Sequence, residues 1–312
     1  PGSNDRNAVW SPDGKYIAYI GDATGETEVY LQPAQGRKPV QLTKNNDTYI
    51  RRIQWSPDSK KIYYSDRKNR LVEVDVATKA KRTVMENPAG EFRSVNFSPC
   101  GNWIAYTKSA ENEMSVVYVY NLKTGKEIAV TEKWYSSSSP VFSTDGKYII
   151  FTSARDFNPV YGQLEWNHTY NNMNGLYMAM LAKGTASPLL PEDGKAPAPK
   201  GAPEKKDAAA APAATVIDAE GIFGRIVRIP VGTGYFGNFV CDGKKLWYSS
   251  GRDTKVFDFA TGKDEKAAEG ASMVSYNPGA KKALFAKGRD LFVCDFPAPK
   301  VALREKVSFK NL

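Results

Sequence analysis

The stretch Ala8–Tyr19, AVWSPDGKYIAY, constrains the fold most, because close copies of it recur along the chain. Two short apolar runs flank Ser11–Gly14, in which proline fixes φ at the second turn position and glycine supplies the positive φ that closes the hairpin. The apolar residues on either side, among them Trp10 and Ile17, are spaced at period two, which is strand periodicity. The sequence therefore predicts a β-hairpin here.

Five further copies of the hairpin follow, each with an apolar residue that leads into a turn and a second strand. Their leading residues are Trp55, Phe97, Phe142, Phe239 and Tyr276. With residues 12, 57, 99, 144, 241 and 278 taken as equivalent, the copies are 45, 42, 45, 97 and 37 residues apart. A period of about 40–45 residues, with one interval lengthened by about 50, is typical of four-stranded propeller blades.

The repeats predict an all-β fold, a single β-propeller domain over residues 1–312 with six four-stranded antiparallel blades. The chain starts on an innermost strand and finishes on an outermost one, so we expect no blade to combine strands from both termini. The expected blades are residues 1–43, 44–86, 87–131, 132–232, 233–268 and 269–312, with inserts in the fourth at 156–174 and 184–218.

The fourth blade is the irregular one. The stretch from Phe157 to Asn174 is too long for an ordinary turn between second and third strands. Pro191–Ala214 is rich in Pro, Ala, Lys and Glu and has too little apolar content to fold, so we expect a flexible, dispensable loop there. The segment GRIVRIPV then restores the fourth strand.

Composition and charge exclude several classes of function. The hydrophobic content of 41% and aromatic content of 12% suit a packed all-β protein. The formal charge of +9 invites a nucleic-acid function. However, the Lys and Arg residues are scattered over turns without an aromatic platform, so we expect no nucleic-acid binding. No apolar run reaches the roughly 18 residues of a membrane span. We therefore expect no membrane span.

No cofactor or metal is expected. Cys100, Cys241 and Cys294 show neither CxxC nor Cys/His ligand spacing and are predicted to be ordinary thiols. The single histidine, His168, has no GxSxG elbow or positioned acid to work with, so we predict a packing role for it in a loop. The chain begins inside a repeat without an initiator Met, so we expect a piece of a longer protein.

The repeated hairpin resembles the WD40-like propeller repeats shared by TolB, the tricorn-type peptidases and the dipeptidyl-peptidase family. Three further stretches resemble the second propeller of bacterial tricorn-like serine peptidases. They are DATGETEVYLQP, NPVYGQLEWNHTY and VIDAEGIFGRIVRIPVGTGYFGNF, the last with Gly224 where an acidic residue is usual. The closing REKVSFKNL looks like the exit of that propeller, before the protease modules. Because the family archetype has seven blades here, seven is the alternative to six.

The resemblance implies a non-catalytic propeller that gates or channels peptides toward a serine-protease core. It also implies PDZ-like and protease modules of the same parent chain as partners, and a periplasmic or other extracytoplasmic location. Two alternatives stay open. One is a TolB-like scaffold that binds a protein partner, and the other is the propeller of a dipeptidyl-peptidase-like enzyme that also has an α/β-hydrolase domain.

Candidate binding residues lie four positions before each hairpin's leading residue, where the chain enters an innermost strand at the mouth of the central channel. These positions hold Arg6, Arg51, Arg93, Ser138, Tyr235 and Ser272. An arginine fork donates two hydrogen bonds to one carboxylate, so three successive arginines predict a funnel that attracts peptide termini. We take the first five as candidate substrate-binding residues. The alternative is that the arginines are surface residues paired with acids such as Asp5 and Glu91.

Overall fold

The computed structural model describes residues 3–88, 90–162, 164, 167–189 and 214–308. Over these residues the chain forms β-strands and one short 3₁₀ helix, with no α-helix. The strands build six four-stranded antiparallel sheets, each from strands of a single stretch of chain. The predicted all-β propeller with six blades and without strand exchange is confirmed. Except for Ala214, the predicted flexible loop at 191–214 lies outside the described residues.

The first three blades occupy the first 129 residues. The first contains β1 (Arg6–Trp10), β2 (Tyr16–Gly21), β3 (Glu28–Pro33) and β4 (Val40–Gln41). The second contains β5 (Ile50–Trp55), β6 (Lys61–Asp66), β7 (Arg70–Asp75) and β8 (Lys81–Glu86). The third contains β9 (Arg93–Phe97), β10 (Trp103–Ser109), β11 (Ser115–Asn121) and β12 (Glu127–Ala129).

The fourth blade interrupts the regular pattern. It contains β13 (Ser137–Phe142), β14 (Tyr148–Ala154), β17 (Asn174–Met180) and β18 (Ile226–Arg228). A separate hairpin, β15 (Pro159–Tyr161) and β16 (His168–Tyr170), lies between β14 and β17, and the 3₁₀ helix (Ile222–Arg225) precedes β18.

The last two blades return to the simple order. The fifth contains β19 (Phe236–Cys241), β20 (Lys245–Ser250), β21 (Asp253–Asp258) and β22 (Lys263–Ala268). The sixth contains β23 (Ser272–Asn277), β24 (Lys282–Lys287), β25 (Asp290–Asp295) and β26 (Glu305–Lys306). Among the described residues, no helix is long and apolar enough to cross a membrane.

A serine hydroxyl closes the hairpin turn in the same way in three of the blades. In the first blade Ser11 Oγ donates to Asp13 Oδ1 at 2.7 Å and accepts the backbone N–H of Tyr16 at 3.0 Å. The same two bonds form around Ser56 and Ser143 in the second and fourth blades. Each hydroxyl therefore closes its turn and satisfies an amide at the start of the next strand, where a missing bond would be costly.

The hydrophobic core lies in the seams between successive blades. Five clusters join the first blade to the second, the second to the third, and so on to the sixth. None of the five contains residues of both the first and the sixth blade. This packing fixes the innermost strands β1, β5, β9, β13, β19 and β23 beside one another.

Each innermost strand carries a β-bulge near its start. In four of them a non-glycine residue there has a positive φ: 52° at Asn7, 54° at Ser94, 56° at Ser139 and 51° at Asn238. A bulge bends its strand and changes the direction of the side chains around it. The bulges therefore set which side chains face the entrance between the blades.

Candidate functional site

The sequence-predicted site positions lie at one end of the propeller, where the innermost strands begin. Arg6 Nη2 donates to the carbonyl of Ile50 at 2.8 Å, and Asn7 Nδ2 donates to the carbonyl of Arg51 at 2.7 Å. These bonds join the starts of β1 and β5. We call this end the mouth. The opposite end, which carries the turns between each innermost strand and its neighbour, is the turn face.

Arg6 and Arg51 are brought together at the mouth. With Tyr49 and Arg52 they line a cavity of about 610 Å³. The Arg6 guanidinium lies 4.0 Å from the centre of the Tyr49 ring. Such a cation–π contact contributes about 0.5–1 kcal/mol at an exposed site. Among the described residues, no carboxylate forms an ion pair with Arg6. The Arg6 guanidinium is therefore a positioned cation that can bind an anion.

The other two arginines behave differently. Arg51 forms an ion pair with Glu91, which is the pairing that the alternative interpretation expects. Arg93 is exposed, pairs with Thr107 in the β9–β10 ladder and does not line the cavity of Arg6. The structure therefore brings two of the three predicted arginines together. Arg51 is paired with Glu91, and Arg6 has no acidic partner among the described residues.

Serines occupy the sequence-predicted mouth positions of the fourth and sixth blades. Ser138 Oγ lies 3.0 Å from Thr152 Oγ1, so its hydroxyl is already engaged with β14. Ser272 pairs with Ala286 in the β23–β24 ladder. Neither residue lines the cavity beside Arg6.

Tyr235 lies just before β19 and has 83% of its surface exposed. The residue in register with Arg6 is Gly237. Each of the two pairs with the residue that lies three positions after the first paired residue of the second strand, which is Ile17 in β2 and Leu246 in β20. The turn after β19 is two residues shorter than that after β1, which moves the register by two. The hydroxyphenyl ring of Tyr235 is therefore presented outside the innermost strand.

Sequence reasoning missed a second cavity, of about 570 Å³, which extends between the innermost strands from the turn face to the bulges of β19 and β23. Val141, Val240 and Met273 contribute to its apolar lining. Val141 and Val240 each lie one residue before a buried seam residue and so on the opposite face of the strand. That alternation was the available signal. The space between the innermost strands is thus lined by arginines beside β1 and β5 and by apolar side chains between the later blades.

In the part of the chain that is described, the single histidine and the cysteines belong to no group of His, Cys, Asp or Glu side chains that could hold a metal ion. His168 is exposed on β16, with its ring 4.6 Å from that of Tyr161. Burial raises the pKa of the Cys100 thiol, but bonds from Ser98 and from backbone amides outweigh it and lower that pKa to about 7. Burial raises the pKa of Cys241 to about 12.

Fold and mouth together define a six-bladed β-propeller domain with an arginine-lined entrance. The family model of the tricorn protease second beta propeller domain matches residues 1–297. The chain belongs to this family.

Individual relatives agree with this assignment. The tricorn protease homolog 1 of Streptomyces coelicolor is 25% identical over 221 residues, which are 70% of this chain and 21% of that protein. The crystal structure of the tricorn protease superposes with a TM-score of 0.75 at 14% identity, covering 97% of this chain and 31% of that one. TolB from Acinetobacter baumannii gives a TM-score of 0.52 at 16% identity, covering 98% of this chain and 66% of TolB. The chain spans about a fifth of the length of the Streptomyces relative.

Proposed function

We propose that this domain is the non-catalytic propeller of a tricorn-like serine peptidase and admits peptides through its mouth toward a protease core. The observation that carries the proposal is Arg6, a cation held by the Tyr49 ring and the Ile50 carbonyl without an acidic partner among the described residues. A peptide offers such a cation one carboxylate at its C-terminus. The family of the chain supports the peptidase context.

In this proposal Arg6 and Arg51 take complementary roles in carboxylate binding. The Arg6 fork donates to the incoming carboxylate, a charge-assisted bond that is about twice as strong as a neutral one. Arg51 is already paired with Glu91, so the ligand competes with that side chain and gains less from it. Arg93, Ser138 and Tyr235 form the outer part of the mouth, where the net charge of +9 attracts acidic peptides.

In the same proposal, the protease module of the parent protein hydrolyses the peptide. The parent protein also contains a PDZ-like module and functions outside the cytoplasm. The propeller filters what reaches these modules. None of these roles requires a cofactor in this domain.

Peptide binding by the mouth is tested with Arg6→Ala and Arg51→Ala. Calorimetric titration with a free-acid pentapeptide should give weak binding that falls with added salt. We expect Arg6→Ala to weaken this binding by about 10-fold. Arg51→Ala should weaken it by less, because the charge of Arg51 is already neutralised by Glu91.

The matched controls are the C-terminally amidated peptide and Arg252→Ala, which removes an exposed arginine at the turn before β21. The wild type should bind the amidated peptide less tightly than the free acid, and this difference between the two peptides should be smaller for Arg6→Ala. Equal affinity of the wild type for both peptides would contradict the proposal.

The second candidate function is a TolB-like scaffold that binds a protein partner. The fold likeness to TolB and the apolar cavity at the turn face support it. This function predicts binding that is insensitive to a free carboxylate and is abolished by a change at Val274, an exposed residue of that cavity, rather than at Arg6.

A further inference from the structure

The fourth blade carries an exposed arm at the mouth. Its described residues are 155–162, 164 and 167–173, which lie between β14 and β17 and include the hairpin β15–β16. All three residues of each strand are exposed, and Leu164 between them has 95% of its surface exposed. A two-stranded hairpin alone is marginally stable in water. Large apolar side chains gathered in the open are typical of an interaction site.

Three aromatic rings form the base of this arm. The ring centres of Tyr135 and Phe157 are 5.8 Å apart, and those of Phe157 and Tyr170 are 6.1 Å apart. Phe157 and Tyr170 are 55% and 52% exposed. Because the rings contact one another yet remain half open to water, they present a ready apolar surface to a ligand side chain.

Arg155 adds a cation to the same surface. Its guanidinium carbon lies 5.5 Å from the centre of the Tyr135 ring and 5.0 Å from that of Tyr177, and Nε donates to Ser153 Oγ at 3.1 Å. The two rings and the hydroxyl hold the fork in place. They leave its two terminal amino groups without a hydrogen-bond acceptor among the described residues.

The acid next to Arg155 is committed elsewhere. Asp156 pairs with Arg228 at 2.7 Å, and no described carboxylate forms an ion pair with Arg155. A wholly apolar partner that covered these rings would also cover Arg155 and leave its charge without a counter-ion, which is costly. The surface therefore favours a ligand that brings a carboxylate together with an apolar group.

The arm belongs to the mouth, because Ala154 N donates to the carbonyl of Ser136 at 2.9 Å, directly before β13. Tyr235 lies at the same end, since Gly234 N donates to the carbonyl of Asn174, where β17 begins. The fourth blade thus presents its rings on the same face of the propeller as Arg6.

We propose that Arg155, Tyr135, Phe157 and Tyr170 form a recognition site for the C-terminal residue of a peptide that ends in an aromatic or large aliphatic side chain. For peptides of this class the Arg155 fork, which does not line the cavity of Arg6, binds the terminal carboxylate in place of Arg6, and the three rings bind the last side chain. The site rests on the proposed peptide-binding function and names the class of peptide that the mouth prefers.

The test uses the 312-residue chain and three pentapeptides that carry a dye at the N-terminus. They end in phenylalanine as free acid, phenylalanine amide and serine as free acid, and are otherwise identical. Fluorescence anisotropy should show that the wild type binds the phenylalanine acid about 10-fold more tightly than either other peptide. Arg155→Gln should reduce the preference for acid over amide to what Arg6 alone gives, and Phe157→Ala should erase the preference for phenylalanine over serine.

Arg252→Gln is the matched control and should leave all three affinities unchanged. Wild-type protein that binds none of the peptides overturns both this proposal and the proposed function. Binding that depends on Arg6 but not on Arg155 or Phe157 overturns the present proposal and leaves the proposed function standing. If Arg155→Gln lowers the melting temperature, Phe157→Ala decides alone, because an unchanged preference for phenylalanine contradicts the site.

Discussion

Trp10 and Trp55 occupy the same place in the same motif, yet their surroundings are opposite. Trp10 pairs with Ile17 and Trp55 with Ile62, so both end an innermost strand in the same register. Trp55 is 4% exposed and donates from its indole Nε1 to the carbonyl of Val9 at 3.0 Å, in the preceding blade. Trp10 is 56% exposed.

The difference shows that the motif and its neighbour control different things. The alternation and the turn chemistry of the hairpin place the aromatic residue at the strand end. Whether that residue becomes core depends on the preceding blade, as in Trp55, Phe97 and Phe142, which are all buried. A repeat protein is stabilised by such interfaces between neighbouring units as much as by the units themselves.

The largest effect should come from removing the indole in the sealed seam. Trp55→Ala creates a cavity and loses the bond to Val9, and we expect a loss of about 3–5 kcal/mol in the free energy of unfolding. Trp10→Ala removes a ring that is mostly in water and should cost under about 1 kcal/mol. Chemical denaturation of the two variants of the 312-residue chain measures both. Equal losses would show that Trp10 is as much a part of the core as Trp55.

The next comparison is between a carboxylate in a seam and one on the surface. Glu73 is buried and accepts hydrogen bonds from Tyr63, Lys61 and Arg82. Burial alone raises the pKa of Glu73, but these bonds outweigh it and lower that pKa to about 2. Glu73→Gln should cost about 2 kcal/mol at pH 7, because two cations lose their acid. Glu86→Gln, on the exposed edge of the same blade, should be neutral.

The pH dependence gives this prediction its sign. The folded-state pKa of Glu73 lies below its ordinary value of 4.5, so its contribution is complete above that pH and is lost as the pH falls toward about 2. The stability difference between wild type and Glu73→Gln should therefore shrink over this acid range. Thermal melting at several pH values tests it, and a difference that grows on acidification would contradict the assignment.

These contrasts also mark how far the sequence alone can predict the molecule. The hairpins were predictable because period-two alternation and the Ser-Pro-Asp turn are local properties of a few residues. The contrast between the buried Trp55 and the exposed Trp10 was not predictable, since it depends on which blade lies beside each residue. The register of Gly237 was missed for a smaller reason: the turn after β19, like that after β23, is two residues shorter than the turns of the first four blades.

The mouth was only partly predictable. Counting back from each hairpin identified Arg6 and Arg51, because position along a strand follows from register. Counting could not show that Glu91 partners Arg51, or that Arg93 lies outside their cavity. Arg155 escaped because its surroundings come from three separate stretches of chain, and only the fold brings Tyr135 and Tyr177 to its two sides.

The smallest effect should come from the third hairpin turn, which has cysteine in place of the aspartate of the motif. Cys100 stands where the first, second and fourth hairpins have aspartate, and Ser98 Oγ lies 3.4 Å from its Sγ. The following glycine, Gly101, has φ 70°, close to the 71° of Gly14, so the backbone already suits the aspartate. Cys100→Asp should therefore fold normally and gain about 0.5 kcal/mol at pH 6, through a charged acceptor for the Ser98 hydroxyl.

That gain should decline as the pH rises. The pKa of the Cys100 thiol is lowered from its ordinary value of 9.0 to about 7 in the folded chain, so the wild type gains stability from its thiolate as the pH rises from about 7 to 9. The aspartate variant is charged throughout this range and gains nothing there. Denaturation at pH 6 and pH 9 under reducing conditions, with Cys100→Ala as the reference for a lost acceptor, measures the trend. A Cys100→Asp variant less stable than Cys100→Ala at pH 6 would mean that the surroundings of this turn have adapted to sulfur and no longer accept the acid of the repeat.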